Sequence, residues 1–262
     1  MKVPTIKAIF QKKIMKRIDN TYQKIANAMP IDFSELFNES IAVFKTVWLQ
    51  GVLVQLIGLI LSAPLLILNL SFDFNNIGQS TNSEFASPLP LDIFESDSVL
   101  SYSLLFVLIF LLSIATNIVS FGFFRIIKQM DCGQGFVFLD FFYFFKAKEL
   151  KKAILLVLIY FGITMVALLL FVLPIFYVMI PLMFLAPVFA YNSELKISEI
   201  IKLTFKLGHK KWGLTFVTTL LNILLIYILT IATCGLGALF FGCFVQIPIY
   251  IIYKKTIGVE AA

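Results

Sequence analysis

AILLVLIYFGITMVALLLFVLPIFYVMIPLMFLAPVFAYNS, residues 153–193, carries no Asp, Glu, Lys, Arg or His. One helix crosses the hydrocarbon core of a bilayer with about 20 residues, so this stretch is about twice what one crossing uses. Leu173-Pro174 lies near its middle, where a turn divides it into two passes. The charge-free stretch between Lys211 and Lys254 has the same length class, with Cys234-Gly235-Leu236-Gly237 at its midpoint. Two shorter gaps, Lys45 to Asp73 and Asp97 to Arg125, each suit a single crossing. The expected spans are roughly 47–69, 99–122, 153–172, 175–192, 212–232 and 236–253.

The bulk composition agrees with this count. Apolar residues make up 60% of the chain and charged residues 14%, more apolar surface than a soluble chain of this size could bury. The expected fold class is all-α: a polytopic membrane protein of six transmembrane helices in three hairpins, with cytoplasmic amphipathic interfacial helices. The first 45 residues contain no apolar run, which predicts no cleavable signal peptide and insertion led by the first span.

Orientation follows from the basic residues. All 21 Lys and Arg fall in residues 1–45, 125–152, 193–211 and 254–262. The loop 71–98 has none and carries Asp73, Glu84, Asp92, Glu95 and Asp97. Basic residues stay on the cytoplasmic side, which puts both termini there and loop 71–98 outside. The predicted layout is a basic cytoplasmic arm over 1–30, a six-helix transmembrane domain over 31–255, and a short cytoplasmic tail over 256–262.

Three weakly similar units follow one another, each opening on an amphipathic segment that runs through lysine into a pair of spans. The openings are Asp32-Phe-Ser-Glu-Leu-Phe, Asp140-Phe-Phe-Tyr-Phe-Phe-Lys146 and Ser198-Glu-Ile-Ile. Phe33, Phe37, Ile41, Phe44 and Trp48 recur at helical spacing and predict one aromatic face in the membrane interface. Ser34 and Ser198 are the expected N-caps.

The inventory for chemistry is small. The expected spans contain no carboxylate, amine or imidazole, which argues against proton-coupled transport, voltage sensing and an intramembrane metal enzyme. One histidine, His209, and three cysteines, Cys132, Cys234 and Cys243, offer no zinc ribbon or disulfide framework. No enzyme activity and no cofactor are expected. The net charge of +6 is read as directed at anionic headgroups, since no aromatic or glycine pattern supports nucleic-acid binding. Lys151, Lys152, Lys210, Lys211, Lys254 and Lys255 are the predicted headgroup contacts. Cys234, Ala238 and Gly242, four residues apart, predict a small-residue ridge for helix packing. Pro181, Thr219 and Asn222 are candidates for a polar route, if one exists.

The stretches Asp140-Phe-Phe-Tyr-Phe-Phe, Leu182-Met-Phe-Leu-Ala-Pro187-Val, Ser198-Glu-Ile-Ile-Lys-Leu-Thr and Cys234-Gly-Leu-Gly, with Pro248 and Tyr253-Lys254, carry a resemblance. Over about residues 30–255 the chain resembles the six-helix membrane domain attached to some bacterial glycerophosphodiester phosphodiesterases, and related stand-alone inner-membrane proteins. The resemblance implies a bacterial inner membrane and little about activity. Phosphodiester hydrolysis in that family belongs to a separate soluble barrel, for which this chain has no room. Carotenoid-cleaving oxygenases, a label sometimes attached to such chains, hold iron with four histidines, which His209 alone cannot supply. The expected function is therefore a non-catalytic membrane scaffold or accessory subunit contacting anionic lipid or partner proteins. The alternative is a permeation module for an apolar or lipid-like solute.

Overall fold

The computed structural model describes residues 6–79, 96–170 and 172–259. All regular structure among them is helical. The elements are α1 (Ile6–Ala26), α2 (Phe33–Gln79), α3 (Ser96–Asp131), a 3-10 segment (Phe138–Phe145), α4 (Ala147–Leu169), α5 (Val172–Met183) and α6 (Leu185–Tyr191). Then come α7 (Ile197–Lys210), α8 (Trp212–Ala232), α9 (Leu236–Phe241), a short 3-10 turn (Gly242–Val245) and α10 (Gln246–Ile257).

Among the described residues six stretches are long and apolar enough to cross a membrane: Phe33–Pro64, Ser103–Asp131, Ala147–Leu169, Pro174–Tyr191, Trp212–Ala232 and Leu236–Ile257. Side chains such as Leu104, Phe106, Leu169, Leu220 and Leu224 are more than half exposed, which fits a lipid solvent and not water. This is the fold of a multi-pass membrane protein.

The chain forms two compact units, residues 1–55 with 118–262, and residues 56–117. In the smaller unit the polar groups of α3 turn back on their own helix. Ser113 Oγ donates to the Ile109 carbonyl at 2.8 Å and Asn117 Nδ2 to the Ser113 carbonyl at 2.8 Å. Both groups are thus satisfied without a partner helix.

The larger unit holds the core. Apolar burial supplies little net attraction between helices in lipid, so close van der Waals approach must do more, and small residues allow it. A Cβ on Gly51 of α2 would lie 2.1 Å from Cys243 Sγ, and one on Gly208 of α7 would lie 2.3 Å from Pro181 Cα of α5. α4 packs along α5, α5 along α7, and α8 along α9.

Several elements depart from the expectation. The opening of the first unit is no separate interfacial helix: α2 runs unbroken from Phe33 through Pro64 to Gln79. Backbone helicity continues into residues 71–79 and resumes at Ser96, so both ends of the expected loop 71–98 are helical; residues 80–95 lie outside the described residues. The caps also differ. Asp32 Oδ2 accepts the Glu35 N–H at 3.1 Å, and Glu199 Oε2 accepts the Lys196 N–H at 2.9 Å, where Ser34 and Ser198 were expected to cap.

On α2 the buried face is Leu36, Ser40, Val43 and Val47, whereas Phe33 and Trp48 are 37% and 45% exposed. The aromatic stripe is therefore divided: its two ends are exposed, while Phe37 packs on Phe244 and Phe44 on Phe241 and Phe244. The basic stretch 1–30 contains α1, which packs against α7 and α10 and is no free arm over its described length. The expected tail begins inside α10, and Thr256 and Ile257 are buried.

Candidate functional site

Polar side chains near the ends of the spans concentrate where the ends of α1, α2, α3, α6, α7 and α10 meet. Their pairing decides which charges remain available to a ligand. Asp131, at the last turn of α3, accepts from Tyr250 Oη and Lys254 Nζ, both at 2.6 Å. Lys255 Nζ reaches Glu35 at 2.7 Å and Glu39 at 2.9 Å. This knot ties the start of α2 and the end of α3 to the end of α10.

Other lysines are spent on carbonyls. Lys152 Nζ donates to the carbonyls of Ser193 and, at 2.8 Å, Leu195, closing the turn between α6 and α7. Lys211 is buried at 6% exposure and donates to the Met29 carbonyl at 2.5 Å. Desolvation, and next the neighbouring charge of Lys210, push its pKa below the usual lysine value. Of the six lysines predicted to touch headgroups, Lys152, Lys211, Lys254 and Lys255 therefore hold the protein together, while Lys151 and Lys210 are exposed. Sequence spacing placed all six near the span ends but could not show which had internal acceptors.

A different cationic pair is built on the 3-10 segment. Asp140 Oδ2 accepts the Val137 N–H at 3.0 Å and starts the segment. Gly122 lets it lie directly on α3, since a Cβ there would sit 2.3 Å from the Phe141 carbonyl oxygen. Phe141 and Phe144 are fully buried, Phe141 stacking on Phe123 and Phe144 meeting Phe121 and Phe189. That packing leaves Tyr143 beside the last turns of α3. The Arg125 guanidinium lies 3.9 Å from the Tyr143 ring centroid, and Lys146 Nζ lies 4.6 Å from the same centroid.

Neither cation has a carboxylate within ion-pair distance among the described residues. Arg125 Nε is buried with no hydrogen-bond partner. At the start of the same segment Val137, Phe138 and Leu139 are 62%, 51% and 72% exposed. An aromatic ledge with two unneutralised cations and outward apolar side chains has the chemistry of an interfacial phosphate site. The sequence had marked this segment as interfacial without singling out Arg125 or Lys146. The missing step was the close approach that Gly122 permits.

The remaining predicted residues separate. Cys234 is exposed in the turn between α8 and α9 with φ 50°, and Ala238 is exposed, so neither belongs to a packing ridge. Only Gly242 fits that expectation: a Cβ there would meet Gln55 Nε2 at 2.2 Å. The turn breaks the helical register that the four-residue spacing assumed. Gly235, at φ 99°, closes α8 by donating to the Thr230 carbonyl at 2.8 Å.

Of the possible polar route, Pro181 is pressed against Gly208, and Thr219 Oγ1 meets Met183 Sδ at 3.8 Å; both sit in tight helix contacts. Asn222 is buried and its Nδ2 has no partner. Thr215 and Thr218 donate one turn back, to the carbonyls of Lys211 and Leu214. His209 stacks on Tyr177, whose hydroxyl lies 2.8 Å from His209 Nδ1, in an exposed aromatic group with Trp212. Among the described residues no cluster of three His, Cys, Asp or Glu side chains is placed to hold a metal. No protein family, curated protein or solved structure matches the chain.

Proposed function

We propose that this protein is a non-catalytic membrane scaffold or accessory subunit that holds anionic lipid headgroups, and through them or beside them partner proteins, at its basic end. Its six passes form three hairpins, with both termini on the cytoplasmic side of a bacterial inner membrane. The likeness to the membrane domain of glycerophosphodiester phosphodiesterases belongs to the same proposal. The observation that carries the headgroup reading is the Arg125–Tyr143–Lys146 ledge. It puts two cations, without an acid, on one ring of the segment that opens with Val137, Phe138 and Leu139. Lys151 and Lys210 add exposed charge. A lysine near an anionic surface contributes roughly 1 kcal/mol.

The test is native mass spectrometry of the detergent-purified chain offered phosphatidylcholine and phosphatidylglycerol together. The wild type retains phosphatidylglycerol in preference, and the double variant R125Q/K146Q loses most of that preference. Equal retention of the two lipids by the wild type, or an unchanged preference in the double variant, sinks the reading.

A further inference from the structure

A second cationic feature is a partly open cleft. Beneath α1 a cavity of about 310 Å³ is lined by Arg17, Lys24, Lys128, Tyr191, Asn192 and Tyr253 among others, with no Asp or Glu among the described residues of its lining. Its size lies at the lower end of small-molecule sites. Arg17 is already matched, by Glu194 at 2.5 Å. Lys24 spends one N–H on the neutral carbonyl of Ile257 at 2.9 Å and has no carboxylate within ion-pair distance among the described residues. Lys128 lies 5.8 Å from the Tyr191 ring centroid and has no carboxylate within ion-pair distance among the described residues. The nearby acid of α3, Asp131, is taken up by Tyr250 and Lys254.

The neutral groups show which hydrogens are free. Asn192 spends both amide hydrogens, on the Val188 carbonyl at 2.9 Å and on Tyr253 Oη at 2.8 Å. Tyr253 therefore accepts there, and its own O–H is left to donate into the cavity. Tyr191 Oη donates away from it, to the Phe124 carbonyl at 2.7 Å.

We infer that this cavity binds a phosphate monoester, with Lys24 and Lys128 as its two charge partners and Tyr253 as a hydroxyl donor. Two such ammonium groups match a monoester, which carries about −1.5 to −2 near neutral pH. A phosphodiester, with a single negative charge, leaves one lysine unmatched. The monoester could be borne by a soluble compound or by a lipid headgroup such as phosphatidic acid. This site shares no residue with the ledge and does not depend on the ledge binding lipid.

The experiment uses the full chain in phosphatidylcholine nanodiscs. Calorimetric titration with methyl phosphate is compared with dimethyl phosphate, and separate nanodiscs carry phosphatidic acid, whose retention is counted by native mass spectrometry. Binding of methyl phosphate over dimethyl phosphate, weakened about tenfold or more by K128Q and kept by K128R, supports the soluble source. Retention of phosphatidic acid alone, with the same dependence on Lys128, supports the headgroup source. The variant K146Q leaves the methyl phosphate signal and the Lys128-dependent share of phosphatidic acid retention intact, which separates this site from the ledge. Equal binding of the two methyl esters, binding indifferent to K128Q, or no binding of either monoester overturns the inference.

Discussion

α8 and α10 come from the same charge-free stretch of sequence, yet the fold treats them in opposite ways. α8 buries Thr215, Thr218, Thr219 and Asn222 and turns Leu220, Ile223, Leu224 and Ile228 outward. Its polar residues face protein and its apolar residues face lipid. α10 is enclosed on nearly all sides, from Ile247 through Tyr253. The difference teaches that in a bilayer burial is not a readout of hydropathy. What distinguishes an inner helix is that its polar ends find partners, as Tyr250 and Lys254 do on Asp131 and Tyr253 does on Asn192.

The sharpest way to break this contrast uses one residue type on both helices. Ile251→Ala, fully buried on α10, is expected to cost about 2–5 kcal/mol, while Ile223→Ala, half exposed on α8, changes stability by less than about 0.5 kcal/mol. Reversible unfolding in mixed micelles measures both. Similar losses at the two sites would mean that α8 faces protein in the native assembly.

Next in size is the close contact at the head of α10. Gly51→Ala is expected to lose about 1–3 kcal/mol through its clash with Cys243, and adding Cys243→Ala should recover most of it. A double-mutant cycle with no coupling would rule out direct contact.

On α8, Asn222→Leu removes a buried amide donor that has no partner, and is expected to stabilise by about 1 kcal/mol. A loss of stability would show that the amide bonds to something in the membrane.

The smallest effect is electrostatic. Lys211 has a folded pKa below its ordinary 10.5, so between those two values the unfolded chain binds more protons. Stability should therefore rise with pH across that window, below which the cost of holding the buried ammonium is fully present. Lys211→Met should flatten that slope, read from unfolding midpoints across alkaline pH.

The spans were legible in the sequence because the absence of charge over a membrane's thickness is a strong constraint. α8 starts and ends at the residues expected, Trp212 and Ala232, since Lys211 and the Cys234-Gly235 turn bracket it. The site was less legible. Lysine position near a span end does not tell whether Met29, Ser193 or Asp131 will accept its hydrogens, because those partners lie far away in sequence. The small-residue ridge failed for a related reason: spacing assumed a helix through Cys234, where the backbone turns left-handed.

The docking of α1 has a bearing on how the protein is made. α1 is made before the elements it rests on: Arg17 pairs with Glu194 and Lys24 with Ile257, separations of 177 and 233 residues. Its seat is not complete until α10 has been synthesised. A chain interrupted before α10 therefore leaves α1 without half of its seat, so the two ends of the described chain depend on each other for their order.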